Sequence, residues 1–104
     1  MGRLIDPRFA LRESAEFSAQ CAELGGAYRI DQALEAIYWI LERKPQSYPV
    51  IPGLEKTRLV TTHRFEDSQG VLPRLRVYFR IASEEEVLLL WIEEDLEPRG
   101  YERF

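Results

Sequence analysis

The run RLRVYFRI, residues 74–81, constrains the fold of this chain more than any other stretch. It alternates without error. Leu75, Val77, Phe79 and Ile81 fall on one side, and Arg74, Arg76, Tyr78 and Arg80 on the other. That period belongs to a β-strand with one face in a core. The chain must therefore supply apolar cover for the inner face. It must also account for three arginines on the outer one.

The cover comes from upstream. In YRIDQALEAIYWILERKP, residues 28–45, the residues Ile30, Leu34, Ile37 and Leu41 recur at helical spacing, flanked by Ala33 and Ile40. The pattern predicts an amphipathic helix that Pro45 ends. Before it, Ser14 is placed to cap a helix running to about Leu24, with Phe17, Cys21 and Leu24 on one side. Ala15, Ala19 and Ala22 line its other side, which suits close approach of the second helix. Gly25-Gly26 is expected to end the first helix through a left-handed residue. Trp39 lies opposite the apolar stripe of its helix, on the side of Tyr28. It is either covered by the first helix or left exposed for a partner, and Tyr28 and Trp39 together form a candidate partner face.

Three strands are predicted downstream of QSYPVIPG: TRLVTTHRF, then RLRVYFRI after the turn EDSQG, then VLLLWI after SEEE. The last is apolar on both faces and is expected at the centre of the sheet. RFALR, residues 8–12, reads as a weak first strand. The expectation is a single α+β domain over residues 1–104. An N-terminal short strand and a helical hairpin pack on a C-terminal antiparallel sheet, and residues 93–104 form an irregular acidic tail.

If EDSQG joins paired strands with Arg64 opposite Arg74, then Arg58 falls opposite Arg80. Arg58, Arg64, Arg74, Arg76 and Arg80 then share a face with Tyr78. Like charges so close need an anionic neighbour. Three would serve: the chain's own acids (Glu84 to Glu86, or Glu93 to Glu97), an acidic or amphipathic segment of a partner protein, or RNA with Tyr78 stacked on a base. The net charge of −4 weighs against the third.

Other chemistry is thin. One cysteine and one histidine offer no disulfide and no zinc site, so no metal or cofactor is expected. Cys21 reads as a small hydrophobe, and His63, on the core-facing side of its strand, as a structural residue. There is no apolar run near membrane-spanning length and no secretion signal, so the cytoplasm is the expected location. An open sheet edge or the Trp39 face would allow a homodimer.

The order of elements, together with LERKP (41–45), PGLEKTRLV (52–60), LRVYFRI and EEEVLLLWIEE (75–94), resembles the RelE/ParE superfamily of small bacterial toxins from type II toxin–antitoxin modules. The resemblance spans about residues 27–94. It implies a toxin-like component held by an antitoxin. RelE-like members are ribosome-dependent mRNA endoribonucleases, and ParE-like members poison DNA gyrase. Carried over by position, Arg58 and Arg76 match basic places of the ribonucleases, and Tyr101 their C-terminal tyrosine. Where those members carry a further arginine after the last strand, this chain has Glu94 and Asp95. The expectation is thus a toxin-like protein for which a non-nuclease action is favoured over ribosome-dependent mRNA cleavage, the one enzymatic activity left open. The alternative is a non-toxic protein-binding module of the same fold.

Overall fold

The structure is a computed structural model, and it describes residues 8–26, 28–68 and 70–96. The chain is α+β. It begins with β1 (Ala10–Glu13), α1 (Ala15–Gly25) and α2 (Asp31–Arg43), followed by a 3-10 turn at Pro45–Ser47. Then come β2 (Arg58–Thr61), a hairpin of β3 (Phe65–Asp67) and β4 (Gly70–Leu72), β5 (Leu75–Ile81) and β6 (Glu86–Glu94). The main sheet has the order β1-β6-β5-β2, and β3 and β4 form a small sheet of their own.

Local chemistry explains the boundaries. The Ser14 hydroxyl accepts from the Phe17 amide at 3.0 Å, so α1 starts with a side-chain cap. The same hydroxyl donates to the Leu90 carbonyl at 3.0 Å and ties the helix start to β6. The capping residue at the other end, Gly26, has φ −72°, and neither Gly25 nor Gly26 is the left-handed residue expected there. The Gly26 amide reaches the Glu23 carbonyl at 3.2 Å without one. α2 stops at Arg43, two residues before Pro45, which opens the 3-10 turn.

Both helices lie on one face of the sheet. The core joins Phe17 of α1, Ile37 and Leu41 of α2, Val60, Leu75, Val77, Phe79, Val87, Leu89 and Ile92, with Ile30. Tyr48 sets its ring edge-on to Phe79 at 6.1 Å. Ala15, Ala19 and Ala22 are exposed, so α2 does not pack on the alanine side of α1 as expected. Each helix instead spends its apolar side on the sheet.

β6 is central as predicted, between β1 and β5. Three features depart from the sequence reading. First, the sheet is mixed: β1 runs parallel to β6, with Leu11 beside Val87. Second, β6 continues through Glu94, so the first two residues of the expected tail are strand. Third, TRLVTTHRF is not one strand. β2 ends at Thr61, where the Thr62 hydroxyl takes the Leu75 amide at 2.8 Å in place of a ladder carbonyl. EDSQG then serves the separate β3–β4 hairpin, with Asp67 opposite Gly70 at φ +133°, and does not join β2 to β5.

Candidate functional site

No helix covers the second face of the sheet among the described residues. Register determines what stands on it, because directly paired residues share a face. β2 and β5 pair Arg58 with Phe79, Leu59 with Tyr78, Val60 with Val77 and Thr61 with Arg76. This is one residue away from the register that puts Arg58 opposite Arg80. A one-residue slip moves every side chain of a strand to the other face. Val60 therefore enters the core and Leu59 joins the bare face. Arg58 leaves the arginine set altogether. Its guanidinium reaches back on the helix side to the carbonyls of Tyr48 and, at 3.5 Å, Gln46.

The five-arginine face does not form. Arg64 lies in the loop after β2 and pairs with Glu66 at 3.5 Å. Arg74 precedes β5, and its carbonyl accepts from the Asp95 amide at 2.8 Å. Arg76 and Arg80 remain on the bare face with Tyr78. Arg80 is exposed and forms no ion pair among the described residues.

Arg76 does find an internal anion. Its Nη2 lies 2.9 Å from Glu93 Oε2, its direct neighbour across β5 and β6. The same carboxylate accepts from Tyr78 Oη at 3.2 Å and from Trp91 Nε1 at 3.0 Å. Glu93 thus holds one cation and two aromatic tips by their polar ends, leaving the rings on the surface. Leu59, Tyr78 and Trp91 form a continuous row across three strands, and Trp91 is 36% exposed. Alongside, Leu88 lies between Arg80 on β5 and Arg12 on β1. Arg12 pairs with Glu86 at 3.2 Å, so the Glu84 to Glu86 segment neutralises an arginine that the alternation did not single out.

The spacing of β6 is uneven here. Tyr78 faces Trp91 and Phe79 faces Leu89, which leaves Leu90 as a bulge. The bulge is where the Ser14 hydroxyl docks. It lets Val87 and Leu89 on one side of it and Ile92 on the other all point into the core, although their spacing breaks a strict alternation.

The expected Tyr28–Trp39 face also separates. Tyr28 packs against the core and donates to Glu94 Oε2 at 3.3 Å, whose carboxylate pushes the Tyr28 phenol pKa up. Trp39 is 58% exposed and is not covered by α1. It carries the Arg43 guanidinium over its ring at 3.9 Å, a cation–π contact within one turn of helix. Glu94 and Asp95, which stand where a further arginine was sought, are occupied internally. Glu94 takes the Tyr28 hydroxyl, and Asp95 is buried with 9% exposure. Tyr101 lies outside the described residues.

Among the described residues nothing arranges a nucleophile. Cys21 is partly buried against the core, and burial, aided by Glu13, pushes its pKa from 9.0 to about 11. It is a protonated thiol at neutral pH. Burial first and the Glu13 carboxylate second also push the Tyr38 phenol up. His63 is exposed in the loop after β2 and does not face the core. Among the described residues no group of three His, Cys, Asp or Glu side chains is placed to hold a metal ion. No described helix is long and apolar enough to cross a membrane. No family model matches the chain, and no curated protein matches it.

Proposed function

We propose that this chain is a protein-binding domain on a RelE/ParE-like plan and that it does not cleave RNA. The plan is supported by the order of its elements: one strand, two helices, then an antiparallel run of β2, β5 and β6. The observation that carries the rest is the placement of Arg58 and Arg76 on opposite sides of the sheet, with Arg76 held by Glu93. Phosphodiester cleavage needs positive groups converging on one developing charge. Here the two do not converge, and a carboxylate lies at the arginine that remains. The same face offers a partner an apolar row, Leu59, Tyr78 and Trp91, with Arg80 beside it. An acidic or amphipathic segment suits it, and an antitoxin is the class of partner that the resemblance implies. The proposed setting is the bacterial cytoplasm, where a lone cysteine stays reduced.

The test is controlled expression of the wild type and Arg76→Ala, with growth and RNA integrity followed together. The expected result is intact RNA in both strains. RNA cleavage that disappears with Arg76→Ala overturns the reading. In parallel, the product of the neighbouring gene is co-expressed. Trp91→Asp is expected to weaken the complex at least about tenfold, while Trp39→Asp leaves it unchanged.

A further inference from the structure

A second surface lies at the free edge of the sheet, on the helix side, away from the bare face. β2 is a terminal strand. Thr62 donates its amide to the Leu75 carbonyl at 2.9 Å, which fixes the alternation along β2. Thr62, Val60 and Arg58 turn their backbone groups toward β5, and Leu59 and Thr61 turn theirs outward. Among the described residues only the start of this edge is covered. Val50 bridges Arg58, and the Ile51 amide reaches the Thr57 carbonyl at 2.7 Å. Nothing described caps Thr61, so its N–H and C=O stand open.

Next to Thr61 the core is not filled. A cavity of about 430 Å³ opens between α2 and the end of β2, walled by Ala36, Ile40, Tyr48, Val60 and Leu72. Two sequence facts produce it. Ala36 on α2 is too short to reach the sheet. The main sheet also stops at Thr61, where the chain turns off toward the β3–β4 hairpin.

We propose that this edge and cavity bind an extended peptide segment of another protein, which adds as a strand beside Thr61 and places one large apolar side chain in the cavity. An open amide and carbonyl on one residue are what an incoming strand satisfies. The walls are mostly apolar and include no Asp, Glu, Lys or Arg, so the inserted side chain is aliphatic or aromatic. A second copy of this chain pairing through β2 is a poor occupant. On the helix side its β2 and the residue after it carry Arg58, which is charged and held by the Tyr48 carbonyl, Val60, which is too small, and Thr62, which is too polar to fill the space.

The probe is a blocked threonine–lysine peptide of about seven residues, enough for one strand, with Phe, Leu or Ala at its centre. It is titrated into the full chain by calorimetry. Phe or Leu is expected to bind at least about tenfold tighter than Ala, since only the larger side chain buries its apolar surface in the cavity. Thr61→Pro removes only an outward N–H, which an edge strand tolerates. It is expected to weaken binding about tenfold with the circular dichroism unchanged. Ala36→Trp, which fills the mouth of the cavity from an exposed position, is expected to abolish the preference for Phe.

Equal affinity for the Ala peptide, indifference to Thr61→Pro, or no binding at about 1 mM overturns the proposal. A doubled mass in solution that Thr61→Pro returns to the monomer overturns it too, by assigning the edge to a second copy. Thr61 neighbours Arg76 across the strands, but the preference for Phe over Ala and its loss in Ala36→Trp are read on the helix side, so this site and the bare face stand or fall separately.

Discussion

Replacing Glu93 by alanine removes one acceptor from three donors at once. Its contacts are Arg76 at 2.9 Å, Trp91 at 3.0 Å and Tyr78 at 3.2 Å. The Arg76 and Glu93 side chains are 23% and 34% exposed, so their attraction is partly screened. A fully exposed pair is worth about 0.2–1 kcal/mol, and this geometry belongs at the upper end, about 1 kcal/mol. Tyr78 and Trp91 both reach water, so each lost hydrogen bond adds about 0.5 kcal/mol. Glu93→Ala should therefore destabilise by about 2 kcal/mol, and Glu93 should couple to Arg76 by about 1 kcal/mol. The assay is urea unfolding of the wild type, Arg76→Ala, Glu93→Ala and the double variant. Arg76 has further contacts, and the cycle separates them from the pair. Repetition at about 1 M salt should shrink the coupling, since the pair is not sealed from solvent. A coupling within about 0.3 kcal/mol of zero at low salt refutes the claim that Glu93 holds Arg76. RNA cleavage gained by Glu93→Gln would show that the carboxylate alone suppressed a nuclease, against the placement of Arg58.

Three other outcomes follow from the packing. Ser14→Ala loses both the α1 cap and the donor to Leu90, costing about 2 kcal/mol; Ser14→Asp keeps the cap, and thermal melts of the two should separate the contributions. Phe79→Ala opens a cavity at the centre of the core and should cost about 3–5 kcal/mol, whereas Trp39→Ala, losing one exposed cation–π contact, should cost under about 1 kcal/mol by the same urea titration. Cys21 has its folded pKa raised from 9.0 to about 11. The unfolded chain then loses its thiol proton first, so this group's contribution to stability is complete below pH 9 and falls between pH 9 and 11. Unfolding of Cys21→Ala across that window should lack this component, and alkylation of the native thiol should stay slow at pH 8.

Much of the fold was legible because burial imposes a period. Leu75, Val77 and Phe79 are all fully buried, as their alternation requires. Ile37 and Leu41 anchor α2 at helical spacing. Ser14 was readable as a cap because its chemistry is local. The central place of β6 was readable from an apolar run too long for one face. What failed was non-local. β1 is only four residues, ALRE, and nothing in so short a segment tells a parallel partner from an antiparallel one. The hairpin hid inside an apparently simple turn, because a β3 strand of three residues has no period of its own.

The bare face shows why the site was harder to read than the fold. In TRLVTT, Leu59 and Val60 are adjacent apolar residues, so the pattern supports either as the core residue. The choice is made elsewhere. The Thr62 hydroxyl holds the Leu75 amide, and Arg58 is drawn to the Tyr48 carbonyl beyond the end of α2. Both contacts need Val60 inward. That one-residue decision breaks up a five-arginine surface and creates an apolar row from Leu59, Tyr78 and Trp91. It moves the chain from a surface that demands an anion to one whose main arginine is already answered by Glu93. Residue types alone asked for an anion, which the chain's own acids, an acidic partner segment or RNA could each supply. For the proposed partner the register favours an apolar surface, since bringing such a surface over Leu59, Tyr78 and Trp91 displaces water from rings whose polar tips are already satisfied.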